Sequence, residues 1–409
     1  MADKTNQAQA YNCISCGAPL HFDPPTGKLK CDYCDSLYTP EEIEEHFKNK
    51  ESEEAAQRTD EEFKSYSCSS CGAELLADQN TAVILCPYCG NNTIATAQFA
   101  SNIRPDCLIP FAVEKKQAMQ KYENYYQDGM IKKFLLPKSF KTDSHIQDIQ
   151  GVYIPFWLFS GKADIDGTYE ASNDKRNGDY IIHDIYEAKR AGTMPFEDVP
   201  ADASKRMPDD LMDSIEPYQL GDLKDFSMAY LPGFLAERFD VDEADDKKRA
   251  EDRMKGTITE KVNETLHYDT IKSRNERVDV SIDRTKYALL PAWVLTTRWN
   301  NQEWMFAMNA QTGKFTGNLP INKGKYWATV ILSFFIILII GALIFGDATT
   351  GGVIGLIVAI VLAIVMHGTM KPVARAANAN AYAGDNLKLS VNEDNFLRKE
   401  KEYSPQNKD

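Results

Sequence analysis

Eight of the nine cysteines fall into four Cys-x-x-Cys pairs: Cys13/Cys16, Cys31/Cys34, Cys68/Cys71 and Cys86/Cys89. Two intervening residues are too few for an ordinary structural disulfide, but they suit a tight knuckle that aims two thiolates at one ion. The pairs group into two units of C-x2-C-x14-C-x2-C. Two knuckles on facing hairpins complete a tetrahedral shell of four sulfurs, a donor set that favours zinc. The spacer is just short of the usual x15–20, yet long enough for a short hairpin. One structural Zn2+ is expected in each unit, two per chain. Metal must supply much of the folding free energy, because each unit is too small for a core of its own.

The two units are copies offset by 55 residues, YNCISCGAPL…LKCDYCDSLY against YSCSSCGAEL…ILCPYCGNNT. Gly17, Gly72 and Gly90 follow a Cys-x-x-Cys, where a φ-permissive residue lets backbone N–H groups approach sulfur. Asp35 stands at the matching place in the first copy, so a looser knuckle is expected there. A thioredoxin-like redox role needs the motif at a helix N-terminus within a βαβ unit, and no such context is visible. The polar start MADKTNQAQA lacks an apolar leader core, which points to reduced thiols in a cytosolic compartment. Cys107, in the apolar run CLIPF, reads as a buried thiol rather than a ligand, and the six scattered histidines form no ligand pair.

Residues 41–64 carry ten acids against four bases and read as a solvated acidic helix. Thr39 with Glu42 three residues on forms a capping box, and Pro40 suits the first helical position.

Residues 327–345, WATVILSFFIILIIGALIF, contain no charge. About 20 helical residues span roughly 30 Å, the hydrocarbon thickness of a bilayer. A second apolar run, Gly351 to Met366, follows a short DATT turn, and its Gly and Ala residues suit close helix packing. Together they predict a two-helix transmembrane hairpin. Lys314, Lys323 and Lys325 precede it, Lys371 and Arg375 follow it, and the turn carries Asp347 without a base. The positive-inside rule then places both termini in the cytoplasm.

Between these parts, aromatic-proline segments recur. LIPFAV (108–113) precedes a helical stretch and then GVYIPFWLF (151–159). AYLPGFLAERFDVD (229–242) precedes another helical stretch and then YALLPAWVLTTRW (287–299). Pro155 and Pro291 hold comparable places, which predicts a diverged duplication of an α+β region with antiparallel strands. Asn309–Gly313 reads as a hairpin turn in which Gly313 supplies the positive φ. Trp157, Trp293, Trp299 and Trp304 read as core residues. DVDEADDKK (240–248) starts like a calcium loop, but Ala244 and Asp245 break that pattern, and an acidic helix start is simpler.

The net charge is −14, and residues 65–103 contain no Lys or Arg. Phosphate binding needs clustered bases, so ribbons that dock protein are favoured over ribbons that bind nucleic acid. No nucleophile elbow, P-loop or dinucleotide fingerprint occurs, and no enzyme activity or small-molecule substrate is expected.

The paired CxxCGAxL/CxYC ribbons, YIPFWLF, ALLPAWVLTTRW, FAMNAQTGKFTGNLP and the hydrophobic hairpin together resemble the bacterial TFIIB-type zinc-ribbon-containing membrane proteins of the YdjG kind. The resemblance covers most of residues 11–370. It implies a role in an envelope-stress locus, recruiting PspA-like and SPFH (flotillin-like) proteins to the membrane. The expected chain is thus an α+β multidomain adaptor anchored by two passes in the cell membrane. Its parts are ribbon 1 at 11–40, an acidic helical spacer at 41–64, ribbon 2 at 65–98, the duplicated region at 104–320, the transmembrane hairpin at 327–367 and a cytoplasmic tail at 371–409. The alternative is a membrane-tethered zinc-ribbon regulator that binds nucleic acid.

Overall fold

The computed structural model describes residues 11–54, 64–68, 74–77, 86–88, 94–96, 104–142, 149–383 and 387–404. It is a mixed α+β structure that divides into two compact units, each assembled from three separate segments. Unit 1 comprises Met1–Pro155, Ser204–Asp240 and Leu289–Arg375; unit 2 comprises Phe156–Ala203, Val241–Ala288 and Ala376–Asp409.

Unit 1 begins with strands β1 (Leu20–Asp23), β2 (Lys28–Cys31) and β3 (Leu37–Tyr38), an antiparallel sheet, and helix α1 (Pro40–Glu54). The predicted capping box forms: the Thr39 N–H donates to Glu42 Oε2 at 2.7 Å, and the Glu42 N–H donates to Thr39 Oγ1 at 3.2 Å. The helix is more than a solvated spacer. Its few apolar residues lie on one face, and Ile43 is fully buried with Cys13, Leu20, Leu29, Cys31 and Ala229. Phe47, one turn further, meets the Tyr11 ring edge-on at 5.5 Å.

Strands β4 (Lys64–Cys68), β5 (Glu74–Ala77) and β6 (Ile94–Thr96) belong to the second Cys segment. Short β7 (Cys107–Leu108) leads to helices α2 (Lys115–Gln127), α3 (Met130–Leu135) and α4 (Lys138–Thr142). LIPFAV does not continue as a strand beyond Leu108. Pro110 has no N–H to donate, and the Ala112 and Val113 N–H groups both turn to the Ala310 carbonyl, at 3.0 and 2.9 Å. Cys107 is buried, in keeping with its apolar surroundings.

The long strands β8 (Gln150–Asn177) and β9 (Tyr180–Asp202) follow. Only the first residues of β8, up to Pro155, belong to unit 1. After β9 come α5 (Asp209–Ile215), β10 (Lys224–Asp225) and β11 (Leu235–Glu237). The 229–242 segment is a strand only over β11, because Gly233 takes φ +93° and bends the chain ahead of it. β11 runs parallel to β8 and antiparallel to β5, so the pairing is not antiparallel throughout. An aromatic cluster fills the core. Phe111 and Phe234 stack at 3.8 Å, with Tyr153 and Trp293 edge-on to Phe111 at 5.0 and 5.5 Å.

Helix α6 (Glu243–Asn263) starts directly after Asp242, as the acidic helix start predicts, and leads to strands β12 (Thr270–Trp299), β13 (Gln302–Asn309) and β14 (Phe315–Gly317). β12 and β13 turn at Asn300 and Asn301, both at positive φ (53° and 58°), the geometry of a two-residue hairpin. The β13–β14 turn forms as expected, with Gly313 at φ +74° donating to the Asn309 carbonyl at 2.8 Å. Trp157 and Trp293 are buried, whereas Trp299 and Trp304 are only partly so.

Helices α7 (Lys323–Phe345) and α8 (Ala348–Met370) complete unit 1. Both are long and apolar enough to cross a membrane. Only 6% and 22% of their apolar windows are buried, unlike a core hairpin of a soluble fold. The turn is shorter than DATT. Gly346 closes α7 in the left-handed conformation, and Asp347 caps α8 by accepting from the Thr349 and Thr350 N–H groups at 3.0 and 2.8 Å. Those bonds favour the Asp347 carboxylate and hold its pKa below the usual range. Gly351, Gly355 and Ala359 form the buried stripe of α8. The Leu319 N–H donates to the Met370 carbonyl at 2.8 Å, so the chain enters and leaves the hairpin at one end.

In unit 2, β8 and β9 form a long hairpin closed at Gly178–Asp179, and α6 packs on β9. The 371–409 region, expected as a tail, contributes a strand to unit 2. Strand β15 (Lys388–Tyr403) pairs antiparallel with β9, from Lys388 opposite Thr193 to Tyr403 opposite Tyr180. Its charged sequence hides this, because its side chains are mostly exposed and the backbone ladder carries the pairing. Arg190, at 2% side-chain exposure, locks the join through the Glu393 carbonyl at 3.0 Å and the Asp394 carboxylate at 2.9 Å.

Candidate metal centre

The first Cys unit folds as two matching knuckles. In the first, the Cys13 N–H donates to the Ala18 carbonyl at 2.7 Å and the Gly17 N–H to the Cys13 carbonyl at 2.8 Å. In the second, the Cys31 N–H donates to the Ser36 carbonyl and the Asp35 N–H to the Cys31 carbonyl, both at 3.0 Å. Gly17 sits at φ +76° and Asp35 at φ +57°, so Asp35 makes the glycine's turn rather than loosening it. Aspartate is among the few residues with a side chain that enter this region readily.

The knuckles bring Cys13, Cys16, Cys31 and Cys34 together, with all four sulfurs within 4.8 Å of one another. Cys13 Sγ lies 3.5 Å from Cys34 Sγ, and Cys16 Sγ lies 3.5 Å from Cys31 Sγ. A tetrahedron with metal–sulfur bonds of ~2.3 Å has sulfur–sulfur edges of about 3.8 Å, so the quartet fits one ion with small adjustments. Cys13 and Cys31 are buried and Cys16 and Cys34 exposed, which places the centre at the rim of the ribbon core.

Hydroxyls not singled out in the sequence surround the sulfurs. Tyr38 OH lies 3.5 Å from Cys13 Sγ and 2.7 Å from Ser15 Oγ, while Ser36 Oγ lies 3.2 Å from Cys34 Sγ. Burial opposes ionisation of Cys13, but Tyr38 and the Cys16 and Ser15 N–H groups outweigh it and bring the thiol down to about 6. The Ser36 hydroxyl and N–H likewise hold Cys34 below its ordinary value. The Ala18 N–H favours the Cys16 thiolate, yet the Cys34 and Cys31 sulfurs prevail and push Cys16 up to about 12. Crowded thiolates repel one another, and a bound cation removes that conflict.

In the second unit, Cys68 ends β4 and Cys86 is buried. Cys71 and Cys89 lie outside the described residues, so the second quartet's geometry does too. Its surroundings are defined. Strand β5 joins β11, the Pro87 carbonyl accepts from Thr296 Oγ1 at 2.6 Å, and buried Tyr88 donates to Glu237 Oε2 at 2.5 Å. Ser204 Oγ donates to the other Glu237 oxygen at 2.9 Å, and Arg206 lies 3.6 Å away. Burial pushes Glu237 up to about 7, although Tyr88, Ser204 and Arg206 pull it down.

The first ribbon meets the same stretch of chain. The Phe22 N–H donates to the Pro232 carbonyl at 3.0 Å, and the Phe22 ring lies 5.4 Å from Tyr230 and 6.5 Å from Phe234. Residues 230–237 therefore seat both Cys segments within unit 1. Among the described residues, Cys13, Cys16, Cys31 and Cys34 are the one group arranged to hold a metal ion.

A protein of Bacillus subtilis (strain 168) described as uncharacterized protein YdjG is 31% identical to this chain over 321 residues, covering 77% of the chain and 91% of the relative. No family model matches the chain. No solved structure matches it either.

Proposed function

The chain belongs to the YdjG family, and we propose that it is a non-enzymatic adaptor, anchored in a bacterial cell membrane, whose zinc ribbons dock cytoplasmic proteins. The observation that carries this reading is the exposed apolar surface of the first ribbon. Ile14 and Tyr33 occupy the interior positions of the two knuckles, Leu37 follows closely, and all three are exposed, Tyr33 at 82%. Side chains held out by a metal-locked turn lose little entropy on binding, which suits a protein partner. The only bases on this ribbon are Lys28 and Lys30, a poor match to a phosphate backbone.

In this reading Cys13, Cys16, Cys31 and Cys34 hold one structural zinc and Cys68, Cys71, Cys86 and Cys89 a second. α7 and α8 cross the bilayer as a hairpin. Because its two ends meet at Leu319 and Met370, both flanks lie on one side, which the Lys and Arg distribution assigns to the cytoplasm. A short strand, a helical stretch and a long aromatic-proline strand recur, as β7, α2 to α4 and β8 and then as β11, α6 and β12, which supports the duplication. The resemblance to the zinc-ribbon membrane family supplies the partners, PspA-like and SPFH (flotillin-like) proteins in envelope stress.

The test is recovery of partners with tagged full-length chain from membranes, comparing wild type with an Ile14→Ser, Tyr33→Ser variant that keeps all eight thiols. Zinc content should stay at about two per chain, while recovery of the PspA-like and SPFH proteins should fall about tenfold, the loss expected of a buried aromatic anchor. Full recovery with zinc retained would overturn the docking face. One zinc per chain would overturn the second site.

A further inference from the structure

Helix α3 packs against both α7 and α8 within unit 1. Ile131 and Leu135, four residues apart, turn inward: Leu135 is fully buried and Ile131 half-buried. Met130 and Phe134, at the same spacing, turn outward, with exposures of 88% and 48%. Outside the first ribbon and the hairpin, these are the two large apolar side chains that the described residues of unit 1 leave exposed.

Their place is fixed by the entry to the hairpin. The Asn322 N–H donates to the Leu135 carbonyl at 2.9 Å. Lys325 Nζ donates to the Phe134 carbonyl at 2.8 Å and stands 5.0 Å from the centre of the Phe134 ring. Asn322 caps α7 and Lys325 is its third residue, so Phe134 lies beside the first turn of the apolar helix. Trp327, 58% exposed, follows two residues on and begins the uncharged run. This is the level at which a spanning α7 leaves the hydrocarbon, where exposed aromatic rings are favoured.

The charge here departs from that of the whole chain. Residues 129–142 and 318–327 hold six lysines and no acid, in a chain of net charge −14. Lys132 is occupied: it lies over the Tyr125 ring and donates to the Tyr125 carbonyl at 3.0 Å. Asp128, just before the first segment, acts on that same lysine. Lys133 and Lys323 are exposed and make no ion pair among the described residues. Two outward apolar side chains are too little for a protein partner, since a stable interface buries roughly 800 Å² on each side. They are enough to supplement an anchor that already holds the chain at a bilayer, because the translational cost of association has been met.

We propose that α3 is an interfacial foot on an anionic lipid surface. Met130 and Phe134 enter the boundary between headgroups and acyl chains, while Lys133 and Lys323 meet the phosphates of anionic phospholipids. The inference rests on the membrane reading of α7 and α8. Its effect is to hold unit 1 against the leaflet at the foot of the hairpin.

The test uses the full chain in nanodiscs of phosphatidylcholine, with or without phosphatidylglycerol. The photoreactive residue p-benzoylphenylalanine is placed at Phe134, at Leu343 in the middle of the apolar surface, or at Tyr33 on the ribbon, and lipid adducts are counted by mass spectrometry. Position 134 should capture lipid well above position 33, and more with phosphatidylglycerol present. A lysine near an anionic leaflet is worth about fivefold in local occupancy, so Lys133→Gln with Lys323→Gln should lower capture at 134 by about that factor or more. Circular dichroism checks the folding of each chain, and a probe at Met130 replaces one at 134 that fails. Capture at 134 no greater than at 33, capture indifferent to phosphatidylglycerol, or adducts to protein instead of lipid in native membranes would each overturn the foot. Leu343 separates the two readings. Lipid adducts there with none at 134 leave the anchor standing, whereas none at either position would overturn the anchor and the foot with it.

Discussion

Gly17 and Asp35 carry the same backbone demand by different means. A left-handed φ is nearly free for glycine and costs most other residues on the order of 1 kcal/mol. Gly17→Ala should therefore weaken metal binding by the first ribbon about tenfold, since binding and folding are one process here. Asp35→Gly should leave affinity nearly unchanged. Competition against a chromophoric chelator reads both, and a larger loss at Asp35 would contradict the equivalence of the knuckles. Glu237 sets a different residue-scale property. Its pKa is about 7 in the fold against an ordinary 4.5, so the folded state binds more protons than the unfolded state between those values. Stability should then fall as pH rises from about 4.5 to about 7 and stay low above it, a loss of roughly 3 kcal/mol in all. Thermal melts of wild type and Glu237→Gln across that range test the assignment, since the glutamine variant should lose this slope.

The hairpin shows how an element depends on the smallest side chains. A Cβ on Gly351 would stand 2.7 Å from the Leu338 carbonyl oxygen, whereas one on Gly352 would meet only the Leu338 side chain at 4.0 Å. Gly351→Leu should thus push α7 and α8 apart and cost about 1–3 kcal/mol, with a lower melting temperature in detergent. Gly352→Leu, its neighbour in sequence, should melt as wild type does. Equal effects would show that bulk on the helix, not contact between helices, governs the loss. α1 makes a related point in water. Its acidic composition is legible at once, but Ile43 and Phe47, one turn apart, dock it onto the ribbon core. Composition averages over a face that two residues are enough to define.

At the scale of the molecule, neither unit is a continuous stretch of chain. β15 closes unit 2 on β9 after nearly two hundred intervening residues, as with Lys388 opposite Thr193. Ending the chain at residue 386 should expose that edge of β9, so that limited proteolysis cuts within 156–203 while zinc content and unit 1 stay intact. Protection of that region in the truncated chain would show that β15 is dispensable. The cysteine knuckles of the first unit, the Thr39–Glu42 cap, the Gly313 turn and the two apolar helices were all legible in the sequence. Each is a local pattern whose energy is decided within a few residues, by φ preference, capping or unbroken apolar length. What only the tertiary structure decided are the pairings between distant segments. These are the seating of both Cys segments on residues 230–237, the ladder from β9 to β15, and the meeting of Trp304 with Lys371 at the mouth of the hairpin. Backbone hydrogen bonds and buried contacts of that kind are nearly indifferent to the local sequence that makes them, so they leave no periodic mark for a reader of the chain to find.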